Sequence, residues 1–277
     1  MDSKHVTVSQ EGGVGFLTLS RRERFNSLDV QTARELRKAG LALARDEAVR
    51  CIVFRGAGGI FCSGADLKYI RSGGDRDVAY LTESRGAPAG YGAIFKQILE
   101  YLHSTISELR RAPKPVIAAV DGVAAAGGLG LAMACDLVVA SERSTFEYAY
   151  FKTALTGAES STFFLPKLMG LRRALDLAFL NPRLSARDAH AAGLVSLVFP
   201  DASFEEQTLK LALRLAEGPT ASYAAAKQLM NEAAGVDRLD YHLDRELEAL
   251  ARSADTRDFG EGITAFFEKR APKFEGR

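Results

Sequence analysis

Residues Pro113 to Ser141 read PKPVIAAVDGVAAAGGLGLAMACDLVVAS. Behind Pro113 and Pro115, the β-branched and alanine run Val116 to Val120 has the length and composition of a buried strand. Asp121-Gly122 interrupts it, and Ala124 to Gly128 supplies five positions with almost no side chain. Leu129 to Ala134 fits a short helix, and Leu137 to Ala140 reads as another strand. A strand, a turn of tiny residues and a helix start expose backbone N–H groups at the helix N-terminus. An oxygen bearing negative charge can sit there without meeting Cβ atoms. Close strand–helix packing favours the same small residues, so at this point the stretch admits both a binding role and a packing role.

A second loop has the same design. Cys51 to Phe54 reads as a short buried strand, followed by Gly56-Ala57-Gly58-Gly59 and then Ile60-Phe61-Cys62-Ser63-Gly64-Ala65-Asp66-Leu67. If the two loops converge, two backbone N–H groups can point at one carbonyl oxygen and stabilise an oxyanion. Around these loops, Val6 to Val8 and Val14 to Leu19 predict a hairpin about Glu11-Gly12-Gly13. Asp29 predicts an N-cap for a helix to Arg45, with Val30, Ala33, Leu36, Gly40 and Leu43 on one stripe. Residues 71–92 predict a mobile loop, and Ala93 to Arg111 a helix stopped by the prolines. Ser185 caps a helix over Ala186 to Ala192, and Val195 to Phe199 reads as a strand. From Phe204 onward the pattern is helical, with a Leu239, Leu243, Leu247 and Leu250 stripe. The change near Pro200 divides an α/β core, residues 1–200, from a helical part, residues 201–277.

Over 277 residues the net charge is +1, which gives no electrostatic case for nucleic acid or an acidic membrane surface. Apolar residues make up 47% and charged residues 26%, as in soluble globular chains. No secretory signal is visible in MDSKHVTVSQ, and no apolar window spans a bilayer. Cys51, Cys62 and Cys135 have no CxxC pairing and no histidine at metal spacing. The expectation is a cytoplasmic setting with no metal site, the cysteines being small core residues.

Three groups of residues, taken together, resemble the crotonase (enoyl-CoA hydratase/isomerase) superfamily. They are Phe61 to Lys68, Lys114 to Gly122 with Gly127 to Asp136, and Ser185 to Ala189 with Ala192 to Val195. Phe266-Phe267-Glu268-Lys269-Arg270 resembles the family's C-terminal end. The resemblance implies an α/β fold of repeated ββα units in two sheets, with a helical C-terminal part that packs homotrimers, often paired into hexamers. It also implies an acyl-CoA substrate held in an oxyanion hole by Ala65 and Gly127. Coenzyme A enters as part of the substrate, and no other cofactor is implied. By motif match, Arg24, Phe25, Ser63, Ala65, Asp66, Leu67, Lys68, Phe266 and Lys269 belong to the coenzyme A site.

The hydratases of this family place two glutamates around one water. Their positions correspond here to Gly130 and to the vicinity of Tyr150. Glu159, one residue beyond the register of the acid that some isomerases keep, is the candidate proton carrier. One carboxylate suffices to move a proton between C2 and C4 of a 3-enoyl thioester. Tyr150, better as a hydrogen-bond donor than as a base, is a second candidate. His103, on one helix face with Glu100 and Ser107, is a third, because related dehalogenases carry a histidine there. Their nucleophilic aspartate, however, would fall at Ala158. The expected function is therefore enoyl-CoA double-bond isomerisation. The alternatives are a hydratase with atypical acids, an acyl-CoA decarboxylase or hydrolase, and a catalytically silent acyl-CoA binder. A serine peptidase would need a hydroxyl in the turn Ala124 to Gly128, which has none.

Overall fold

The strands follow in chain order as β1 (Val6–Glu11), β2 (Val14–Leu19), β3 (Cys51–Gly56), β4 (Val116–Val120), β5 (Val123–Ala125), β6 (Leu137–Ser141), β7 (Thr145–Glu147), β8 (Leu184–Ser185) and β9 (Leu197–Phe199). This computed structural model describes residues 5–74 and 90–277. Most of the segment that the sequence predicts as a mobile loop lies outside the described residues.

β1 and β2 pair antiparallel, Val6 opposite Leu19 and Glu11 opposite Val14, as the Gly12-Gly13 signal predicts. The sheet then continues parallel in the order β1-β2-β3-β4-β6-β9. A second sheet has the order β5-β7-β8. β9 starts at Leu197 rather than Val195, whose carbonyl instead receives the His190 ring, Nδ1 at 2.7 Å.

The strand period of two buries both faces of the larger sheet. Leu17, Leu19, Ile52, Phe54, Val116, Ala118 and Val120 enter one core cluster. Val14, Phe16, Cys51, Val53, Ile117, Ala119 and Val139, the alternate positions, enter the other.

The helices are α1 (Val30–Arg45), α2 (Leu67–Arg71), α3 (Tyr91–Arg111), α4 (Gly127–Met133), α5 (Ser161–Met169), α6 (Leu171–Leu180), α7 (Ala186–Ala191), α8 (Phe204–Glu217), α9 (Thr220–Ala233), α10 (Leu239–Ala254) and α11 (Arg257–Glu268). Asp29 caps α1, accepting the Thr32 N–H at 2.7 Å, and the stripe from Val30 to Leu43 is buried. Ser185 and Asp188 form a capping box at α7. Phe204, Leu211, Ala212 and Ala216 of α8 close the second face of the sheet. α3 packs between α1 and α10 on the first face. Together these elements make the mixed α/β fold expected from the sequence. Among the described residues, no helix is long and apolar enough to cross a membrane.

Candidate active site

Two short parallel bridges draw the small-residue loops together. Cys62 N–H donates to the Val123 carbonyl and Ala125 N–H to the Cys62 carbonyl, both at 3.0 Å. Leu28 N–H donates to the Gly64 carbonyl at 2.9 Å, and Asp66 N–H to the Leu28 carbonyl at 2.8 Å. The second bridge uses the groups on either side of Ala65, so in extended chain the Ala65 N–H faces the other way. Gly64 sits at φ 93°, where a side chain is strained, and a Cβ there would stand 2.8 Å from Ala126 Cβ and 3.3 Å from Gly127 N. Ala126, at φ 47°, turns the chain into α4. Gly127 is therefore the first residue of a helix, and its N–H has no intrahelical acceptor. Neither the Ala65 nor the Gly127 N–H donates to a backbone or side-chain acceptor among the described residues. Both residues line one cavity of about 450 Å³.

Glu159 reaches the same cavity from the loop before α5. A Cβ built on Gly127 would lie 2.9 Å from Glu159 Cδ and 3.0 Å from Oε1, so the carboxyl group rests directly over the start of α4. Tyr150, in the 3-10 turn Tyr150–Thr153, donates its hydroxyl to Glu159 Oε2 at 2.5 Å and approaches the Ala158 carbonyl at 3.0 Å. The sequence offers Tyr150 and Glu159 as separate candidates; the structure joins them. Burial pushes the Glu159 carboxyl up to about 7; the Tyr150 hydrogen bond opposes this, and the charge of Glu246 adds to it. Burial, then the charge and hydrogen bond of Glu159, holds the Tyr150 phenol well above its ordinary value, so it stays protonated as a donor.

Three other carboxylates line the cavity: Glu23 is exposed on the 3-10 turn Arg22–Arg24, and the two buried ones are committed. Glu147 pairs with Lys152, and its Oε1 accepts Asn181 Nδ2 at 3.0 Å. Asp66 is buried, accepts the Tyr69 N–H at 3.0 Å as the cap of α2, and pairs with Arg21 at 2.9 Å and Arg24 at 2.5 Å. Burial opposes its ionisation, but Arg24, the Tyr69 N–H and Arg21 together hold it below the usual carboxylate range. Its role is to tie residues 21–24 to residues 63–68. Arg24, Phe25, Ser63, Leu67 and Lys68 line the mouth beside it, with Phe25 exposed. Phe95, Leu155, Leu250 and Phe267 give the interior apolar walls, and Phe266 lies at the rim.

Two predicted residues do not join this cavity. Lys269 lines an adjoining groove with Lys152, Phe266 and Phe274. His103 lies between α3 and α10, beside Ser107, Asp240 and Leu243, in a separate groove. It is 8% exposed, and burial lowers its imidazole to about 4, which keeps it neutral. Cys62 is fully buried and its thiol is pushed up to about 12 by burial, in keeping with a small core residue. Glu246, which no sequence motif singles out, accepts the Ser160 N–H at 2.8 Å and the Thr162 N–H at 2.9 Å beneath the site. It falls three residues after Leu243 and four before Leu250, on the apolar stripe of α10. A carboxylate at such a position is the signal that could have found it.

Relatives share this frame over almost the whole chain. The family model described as Enoyl-CoA hydratase/isomerase matches residues 9–277. The chain is 35% identical to the 1,2-epoxyphenylacetyl-CoA isomerase of Escherichia coli (strain K12), over 96% of this chain and 97% of that protein. It is 34% identical to a probable enoyl-CoA hydratase of Rhodobacter capsulatus, over 96% and 95%. A crystal structure of an enoyl-CoA hydratase from Mycobacterium avium subsp. paratuberculosis superposes with a TM-score of 0.85 at 30% identity, covering 99% of both chains. Strand order, convergent loops and whole-length similarity agree that this chain belongs to the enoyl-CoA hydratase/isomerase family.

Proposed function

We propose that the protein shifts the double bond of an enoyl-CoA thioester, with Glu159 as its single proton carrier. The relatives include both an isomerase and a probable hydratase, so their names do not select the reaction. The observation that carries the reading is the Glu159 carboxyl, buried, bonded to Tyr150 and resting over Gly127. The thioester oxygen accepts hydrogen bonds from the Ala65 and Gly127 N–H groups. Glu159 takes a proton from C2, and the electron pair of that C–H bond moves through the thioester carbonyl to give a dienolate. The same carboxyl then returns the proton to C4, leaving a 2-enoyl thioester. The negative charge develops on an oxygen held by backbone donors, so the reading calls for no metal or redox cofactor. Hydration needs a second buried, free carboxylate on the attacking water; Glu147 and Asp66 are both bound elsewhere, and Glu23 of the cavity lining is exposed to solvent. Incubation with a 3-enoyl-CoA should raise the absorbance of the conjugated thioester without changing the mass. Gain of one water with no such rise would replace the reading with hydration.

The mouth of the cavity, from Arg24 to Lys68 and at Phe266, suits the pantetheine and nucleotide of coenzyme A, with Lys269 just beyond it. The helical part, residues 201–277, is assigned to packing a homotrimer or a pair of trimers. α9 buries none of its residues and exposes Leu229 and Met230, and α10 exposes Tyr241. Light scattering of the intact chain should give three or six times the chain mass, and a monomer would refute this. We place the protein in the cytoplasm.

A further inference from the structure

Glu159 and Ser160 are consecutive residues in the left-handed region, at φ 48° and 68°. Neither is a glycine, so the surroundings must impose this backbone. The turn also opens α5, whose N-cap, Ser160, makes no capping bond with its own side chain. The first N–H groups of a helix need acceptors. Here the acceptor comes from a residue 86 positions away: Glu246 of α10 takes the Ser160 N–H on Oε2 and the Thr162 N–H on Oε1. The Thr162 hydroxyl donates to the same Oε1. His242, one turn earlier on α10, places Nε2 2.8 Å from Thr162 Oγ1 and 3.8 Å from Glu246 Oε1. The Glu246 carboxylate has 2% side-chain exposure, so donors of the fold satisfy it, the Phe163 N–H among them.

We propose that Glu246 is a positioning residue for Glu159: it clamps the backbone on the C-terminal side of Glu159 and so fixes where the carboxyl stands over Gly127. This rests on the isomerase reading. The clamp also sets charge. Glu159 faces Tyr150 from the 3-10 turn and Glu246 from α10; Tyr148 beside β7 and Cys62 from the loop after β3 also interact with it. The Glu147–Lys152 pair lines the cavity near it. Glu246 in turn faces Thr162, His242 and Tyr148. Of the acids in this set, Glu246 acts on Glu159 through its charge, raising its proton affinity; burial also pushes the Glu246 carboxyl up to about 7, against the hydrogen bonds of Thr162 and Ser160, so the two carboxyls share one pH range.

The test compares Glu246→Gln and Glu246→Ala with the wild-type protein and with Glu159→Gln. For 3-enoyl-CoA turnover, kcat should fall on the order of 10²-fold in Glu246→Ala with KM little changed, because a misplacement of about 1 Å has that effect. In Glu246→Gln the acid limb of kcat/KM should move to lower pH, since a negative charge beside the base is gone. A residue that only supports the fold would lower Tm and leave the limb in place. The Glu159 carboxyl is also followed by 13C NMR, its signal assigned by Glu159→Gln, and its midpoint should fall in Glu246→Gln whether or not turnover is seen. Thr162→Val, which loses only the hydroxyl contact, guards against a Glu246 variant that does not fold and should shift kcat in the same direction. Wild-type kcat, limb and midpoint in the folded Glu246 variants overturn the positioning role. Wild-type turnover by Glu159→Gln overturns the isomerase reading instead.

Discussion

Glu159→Gln is expected to lower kcat for 3-enoyl-CoA isomerisation by roughly 10²–10⁴-fold, the contribution typical of a positioned acid–base group, while thioester affinity is retained. The amide is nearly isosteric, and its oxygen can still accept the Tyr150 hydroxyl, so Gly127 and the loop before α5 keep their places. Only the ability to take and return a proton is lost. The pH dependence has a fixed sign. The base acts as carboxylate, and burial pushes the Glu159 carboxyl up to about 7. Below that pH the active form is lost by protonation, so log kcat/KM should drop with slope one on the acid side. A carboxyl at its ordinary value would leave the rate flat down to about pH 4–5. Stopped-flow absorbance for turnover and calorimetry for thioester affinity separate the two effects. If Glu159→Gln turns over like the wild type, another group moves the proton.

The fold was legible wherever a local rule acts alone. Asp29 before an apolar stripe, Gly12-Gly13 between alternating runs, and Val116 to Val120 behind two prolines each specify their element through neighbours in sequence. The site was legible only in part. The two small-residue loops are visible in the sequence, and it is the family resemblance that points to Ala65 and Gly127 within them. Tyr150 and Glu159 each stand out, but not as a pair. Their contact depends on left-handed turns at Ala149, Ala154, Glu159 and Ser160, none of them glycine. No propensity announces an αL alanine or glutamate, because tertiary contacts impose it. The resemblance implies Asp66 as a coenzyme A contact; that it is buried and bonded to Arg21, Arg24 and the Tyr69 N–H depends on the fold and no motif announces it. His103 shares a helix face with Glu100 and Ser107, and that face meets α10 rather than the cavity.

Gly130→Glu, which restores the residue hydratases carry at the corresponding position, is expected to abolish isomerisation without producing hydration. A Cβ at Gly130 would fall inside the van der Waals shell of the Glu159 carbonyl oxygen and 3.0 Å from the Ala158 carbonyl oxygen. Both obstacles are backbone, so no rotamer relieves them. The left-handed turn at Glu159 and Ser160 brings those carbonyls down onto α4, and Ser160 Oγ reaches the Gly130 carbonyl at 3.3 Å. The missing glutamate and the shifted acid are therefore one structural fact: the turn that aims Glu159 at Gly127 occupies the space a hydratase side chain needs. Gly130→Ala isolates the clash from the charge and should already cost about 1–3 kcal/mol, as overpacking does in other cores. At roughly 2–4 °C per kcal/mol for a chain of this size, calorimetry should resolve the loss. The glutamate variant should be less stable still, since it adds a charge beside the buried Glu159. Because Glu246 grips Ser160 and Thr162, the turn cannot yield without releasing that carboxylate as well. A Gly130→Glu variant with wild-type Tm and new hydratase activity would show that the turn moves freely, and the packing of Gly130 against the Glu159 carbonyl would then no longer account for a single acid.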